Sequence, residues 1–200
     1  PQLERIKRSN YPNVPVWVTE YGDLNDRDRT FGNEWTHYCL NVNRRALKFI
    51  DEGASAVFYF DAFDDYEECM RRLTYYGFFT SMAHVYAARK RYYASRQLYH
   101  FVPPGSQRID ASADVPGLTV SAFRSGSRNS LIVVGVKQGG PNTIQVTVRG
   151  SNATAAAWDL YETTPEVNCL KADTVPVREG VAVVNLPDQA VFTLVGHLGK

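Results

Sequence analysis

The chain has 200 residues, 44% hydrophobic and 22% charged, an ordinary globular composition with room for one large domain or two small ones. Its 22 Lys and Arg stand against 21 Asp and Glu, and the net charge of +1 offers no field to draw in nucleic acid or an anionic membrane. No apolar run approaches the ~20 residues of a membrane-spanning helix, and the opening "PQLERIKRSN" lacks the apolar centre of a signal peptide.

The first element in chain order is "VPVWVTEYG", residues 14–22, whose β-branched and aromatic run predicts a buried strand over 14–20. It ends in Glu20, a carboxylate that is costly to bury without a partner. The polar loop "DLNDRDRT" follows. "NEWTHYCLNVNRRALKFIDEG" then places Trp35, Cys39, Val42, Ala46, Phe49 and Ile50 at helical spacing, with Asn33 or Gly32 suited to its start and Gly53 to its end. "ASAVFYFDAF" reads as a second strand, over about 54–61. An acidic loop holding Asp64, Asp65, Glu67 and Glu68 leads to a helix expected from about Met82 to His100. Strand, helix, strand, helix at this spacing predicts two βα units with parallel strands, too few to close a sheet on themselves.

Pro103, Pro104 and Gly105 stop that helix and the rhythm changes. Short alternating segments follow: "SQRIDAS", "LTVSAFRS", "SLIVVGVK", "NTIQVTVRG", "AAAWDLYE", "VPVREGVAVVNLP" and "AVFTLVGHL". Some seven short strands between turns predict an antiparallel β-sandwich. The expected domains are residues 1–100 and 101–200. The three cysteines, Cys39, Cys69 and Cys169, are too widely spaced for a disulfide framework or a zinc motif. Core packing is expected of Cys39 and Cys69, and one disulfide with one free thiol stays open.

In a parallel αβ architecture ligands gather at the carboxyl ends of the strands. Glu20 occupies one such end and Asp61 the other, with Trp17, Tyr21, Tyr59, Phe60 and Phe63 around them. Aromatic faces stack on sugar rings, and a fixed carboxylate can attack an oxocarbenium-like centre. A structural ion pair between Glu20 and a nearby Arg explains the same segment. Asp61 either meets a sugar hydroxyl or caps the loop after its strand.

"VPVWVTEYG" resembles the nucleophile strand of clan A glycoside hydrolases, in which the seventh strand of a (β/α)8 TIM barrel ends in Glu within T-E-[FY]-G. "RYYASRQLYHFVPPGSQRI", followed by "LTVSAFRS" and "SLIVVGVK", resembles the junction of barrel and β-sandwich in family 30 and related family 5 glycosidases. The resemblance implies that Glu20 is the catalytic nucleophile, that Tyr21 and Gly22 form its supporting turn, and that "VFYFDAF" is the eighth strand. Trp17, Tyr21, Phe60, Asp61 and Phe63 are the expected substrate-binding residues. Eighth strands in the clan often carry a Trp platform, where this chain has Phe58, Phe60 and Phe63.

A full barrel takes ~250 residues and eight strands. The clan's acid/base Glu follows an Asn, and the sole Asn-Glu here, Asn33-Glu34, opens a helix. The expectation is therefore the C-terminal part of a longer retaining β-glycoside hydrolase. Its partners would be a β-linked oligosaccharide or polysaccharide and the remainder of the barrel, and the family favours an extracellular or periplasmic setting. No cofactor is expected, and no metal, since His37, His84, His100 and His197 lack ligand spacing. The basic run "ARKRYYASR" reads as an interdomain helix with snorkelling stems. Asn152-Ala-Thr154 fits the N-glycosylation sequon. A different function, a non-catalytic carbohydrate-binding sandwich, would use Trp158 and Tyr161 as its platform, although Trp158 also suits the core.

Overall fold

A computed structural model describes residues 2–23, 34–63, 76–80, 86–148 and 155–199. The expected roles of Asp64, Asp65, Glu67, Glu68, Cys69 and His84, both predicted helix starts and the sequon fall outside them. By packing, the chain divides into two compact units, Pro1–Arg89 and Lys90–Lys200.

The first unit opens with helix α1 (Gln2–Lys7) and contains two parallel strands, β1 (Trp17–Tyr21) and β2 (Ala56–Tyr59). Between them, a wide π-type winding over Glu34–Asn41 runs straight into α2 (Val42–Asp51). This is the helix that the spacing predicts: Trp35, Cys39, Val42 and Ala46 are all buried. Gly53 ends it with φ 107°, a left-handed conformation that glycine adopts without strain, while its N–H donates to the Ile50 carbonyl. α2 packs on β1 and β2.

Register in the strand pair runs Trp17 to Ala56 and Val18 to Val57, then Tyr21 to Tyr59. Thr19 and Glu20 thus face one residue, Phe58, and β1 carries a β-bulge there. The extra residue reverses the side-chain alternation. Tyr21 joins Val18 and Val57 on the helix side, where its ring meets Phe49 of α2 edge-on at 6.2 Å and Tyr59 at 5.8 Å. The other face carries exposed aromatic side chains. Trp17 is 62% exposed, and Phe58 and Phe60 are exposed with it. The sequence predicts β1 as a buried strand, whereas Thr19 and Glu20 are exposed and Val16 and Val18 only half-buried. Among the described residues, α2 packs on one side of the two strands, and that is the face they bury.

The helix expected from Met82 is shorter. Residues 86–89 are extended, because their backbone groups pair with 78–80: Thr80 N–H donates to Ala87 and Arg89 N–H to Phe78, both at 2.9 Å. The helix proper is α3 (Lys90–Tyr99), and it packs on strands of the second unit, which begins at Lys90 where the expected second domain begins at 101. Its Gln97 amide donates to Thr163 Oγ1 at 3.0 Å, and Thr193 Oγ1 donates to the Gln97 carbonyl at 2.7 Å. Arg91 is buried, so this basic stretch is part of a packed element.

The second unit holds β3 (Gln107–Ile109), β4 (Leu118–Ser125), β5 (Ser130–Gln138), β6 (Thr143–Thr147), β7 (Ala155–Thr163), β8 (Leu170–Arg178), β9 (Val181–Asn185) and β10 (Gln189–Leu198). They form one antiparallel sheet in the order β3-β4-β5-β10-β7-β8-β9-β6. The sequence segment "VPVREGVAVVNLP" divides into two strands at Glu179-Gly180, whose φ values of 51° and 77° suit a two-residue hairpin turn. β8 meets β9 over only two residue pairs, and there the sheet curls. Ile144, Ala182 and Val184 of the β6–β9 hairpin thereby share one core with Trp158, Leu160, Phe192 and Leu194. The structure therefore has one curled antiparallel sheet where the sequence predicts a sandwich of two.

Candidate active site

Glu20 sits in the bulge, at the carboxyl end of β1, exposed. Neighbouring side chains alternate across a strand, and Tyr21 is on the helix side, so Glu20 projects from the opposite face, the face of Trp17 and Phe58. Those two rings are 5.9 Å apart, tilted by 46°.

The backbone around Glu20 is tightly placed. Phe60 N–H donates to the Tyr21 carbonyl at 2.9 Å, extending the ladder beyond β2. A Cβ on Gly22 would stand 3.1 Å from the Phe60 carbonyl oxygen, so the two strand ends approach at a distance that suits glycine. Arg45 Nη1 of α2 donates to the Gly22 carbonyl. His37 Nδ1 lies 3.3 Å from Asp23 Oδ2.

The aromatic residues beyond β2 form a rim. Phe60 is 6.1 Å from Tyr76, and Phe63, 51% exposed, stacks on Phe79 at 5.3 Å and meets Tyr86 edge-on at 5.8 Å. Tyr59 stacks on Phe78 at 4.1 Å and donates from its hydroxyl to the Tyr76 carbonyl at 2.7 Å. Asp61 is half-buried, the Phe60–Asp61 peptide is cis, and the Asp61 carbonyl accepts from Phe78 N–H at 3.0 Å.

Of the expected site residues, the structure puts Glu20, Trp17 and Phe60 on one exposed side and Phe63 in the adjoining rim. Tyr21 is different: at 5% exposure it is buried and has little surface left for a ligand. Sequence reasoning did not find Asp23, His37 and Arg45. The only local signal was Arg45 four residues before Phe49, which puts both on one helix face.

Trp158 in the second unit is 2% exposed, with Gly196 against its ring, and Tyr161 packs on Phe101 at 4.5 Å. Of the alternative platform, Trp158 is therefore core and Tyr161 half-buried. Among the described residues no three His, Cys, Asp or Glu side chains are grouped to hold a metal, and no helix is long and apolar enough to cross a membrane.

No family model matches the chain. Solved structures do. A family 30 endoxylanase from Clostridium papyrosolvens C71 superposes with a TM-score of 0.71 at 21% identity, covering 96% of this chain and 44% of its own. The chain shares its fold with family 30 glycoside hydrolases. A family 30 subfamily 8 xylanase from Clostridium acetobutylicum gives a TM-score of 0.73 at 19% identity, over 93% of this chain and 43% of that one. Xylanase C from Talaromyces cellulolyticus gives 0.65 at 22%, over 94% and 41%. This chain spans less than half the length of these similar structures.

Proposed function

We propose that the chain is the C-terminal part of a retaining β-glycoside hydrolase, with β1 and β2 as the last two strands of a (β/α)8 barrel and Glu20 as nucleophile. The observation that carries this is the bulge at Thr19-Glu20, which turns a carboxylate at a parallel strand's carboxyl end onto the face away from the helix. In a closed barrel that face is the interior, which accounts for the bare Trp17 and Phe58.

In this reading Glu20 attacks the anomeric carbon and displaces the glycosidic oxygen, which is protonated by an acid/base carboxylate from the upstream barrel. Water then attacks the glycosyl-enzyme, and the same upstream group takes the proton. Phe60 and Phe63 present ring faces to the sugar, and Asp61 contacts a hydroxyl. Trp17 lies three residues before Glu20, about 10 Å down the strand, and fills the barrel interior beneath the site. Tyr21 supports the turn. The substrate class is a β-linked polysaccharide, with xylan the first to try, since the similar structures are xylanases.

The test is Glu20→Gln in the full-length protein. An amide keeps the shape without the nucleophile, so turnover should fall by several orders of magnitude with the fold intact. Azide should restore turnover to Glu20→Ala and give a product of inverted configuration. Near wild-type turnover in Glu20→Gln refutes the assignment.

A further inference from the structure

Three consecutive residues after Glu20 are each held by one residue of the helical segment that follows. Tyr21 meets the Phe49 ring, the Gly22 carbonyl accepts from Arg45, and Asp23 faces His37. Going up the strand from 21 to 23 means going back along the helix from 49 to 45 to 37. Arg45 and Phe49, four residues apart, share one face of α2, and His37 comes from the π-type winding that leads into it. One continuous helical segment therefore grips the whole turn.

The sheet cannot do this alone. At a bulge the ladder is locally disrupted, so Thr19 and Glu20 are the least constrained part of β1 from the strand side. The first firm ladder bond beyond the bulge is Phe60 N–H to the Tyr21 carbonyl. An exposed polar contact such as that of Arg45 adds little to global stability. It does fix where one carbonyl points, and with it the direction in which the preceding residue leaves the strand.

We propose that His37, Arg45 and Phe49 form a clamp that positions the Glu20 carboxylate, with Arg45 as its principal positioning residue. The clamp rests on the reading of Glu20 as nucleophile. A misplacement near 1 Å at a reacting group can cost about a hundredfold in rate, so a contact worth little to folding is worth much to catalysis.

The experiment compares Arg45→Met, Arg45→Lys and His37→Gln in the full-length protein, with Glu20→Gln as control. Arg45→Met should lower kcat roughly tenfold or more while KM stays within about twofold, and Arg45→Lys should restore part of the loss. Amide exchange at Phe60, whose acceptor is the Tyr21 carbonyl, should accelerate in Arg45→Met. Thermal midpoints should match wild type.

Wild-type kcat with unchanged Phe60 exchange in both Arg45→Met and His37→Gln overturns the clamp. So does a fall in kcat that tracks a fall in thermal midpoint across the series, which would make Arg45 a folding residue. Should Glu20→Gln keep its turnover, the nucleophile reading fails and exchange alone decides: acceleration at Phe60 supports the clamp, and unchanged exchange overturns it.

Discussion

Gly22 lies against the carbonyl oxygen of Phe60, so close that a Cβ on residue 22 would stand 3.1 Å away. Phe60 also donates its N–H to Tyr21, so the carbonyl cannot retreat without loosening the ladder. Gly22→Ala should cost about 1–3 kcal/mol, as overpacking usually does. In the full-length protein it should also lower kcat more than it changes KM. Urea unfolding and steady-state kinetics check the two halves separately.

The 200-residue chain by itself should turn over no aryl β-glycoside, because retaining hydrolysis needs a second carboxyl about 5–5.5 Å from the nucleophile and the proposed acid/base lies upstream. Assay of the purified chain on an aryl glycoside panel checks this. Activity that vanishes in Glu20→Gln would mean that Asp61 or Asp64 completes the site.

Trp158→Ala should destabilise the second unit by about 3–5 kcal/mol, the usual cost of emptying a large aromatic site in a core. Gly196 is fitted to the same ring, since a Cβ there would stand 3.0 Å from two of its atoms. Denaturant titration followed by far-UV circular dichroism would read the loss. Retained stability would return Trp158 to the surface and revive the binding-module function.

Asp159 and Glu162 of β7 should give opposite pH dependences. The hydrogen bond from Lys171, at 2.7 Å, is the main cause that lowers the Asp159 carboxyl, and Thr174 assists. Burial, then the nearby Asp173, raises that of Glu162. A folded-state value below the unfolded one gives stability that is present above the unfolded value and lost as pH falls through the folded one. A raised value gives stability that is full below the unfolded value and lost as pH rises through the folded one. Asp159→Asn should therefore lower the thermal midpoint at pH 7 and converge on wild type in acid. Glu162→Gln should raise it at pH 7, and the gain should disappear below about pH 4. Thermal scans at pH 7 and in acid distinguish them.

Much of this was legible because alternation and helical spacing are period signals, and the strands of the second unit fall close to where their apolar residues repeat. The bulge was not legible. Thr19 and Glu20 follow the strand-forming run Val16-Trp17-Val18 without a break, and only the shorter partner strand shows that one residue is extra. Residues 86–89 look helical in isolation, yet the backbone of 78–80 takes their hydrogen bonds. Asp23 and His37 stand fourteen residues apart across a loop, a separation that carries no periodic trace.

β10 lies between β5 and β7 in the sheet, and among the described residues no other strand joins β3-β4-β5 to β7-β8-β9-β6. All nine residues of β5 find partners in it, and Val191 through Gly196 are paired on both sides. During synthesis the earlier strands therefore leave the ribosome as two separate half-sheets, each with an open edge facing the other. β10 is the last of these eight strands in chain order, so a chain cut before residue 189 would leave two sheet pieces with bare edges in place of one ladder.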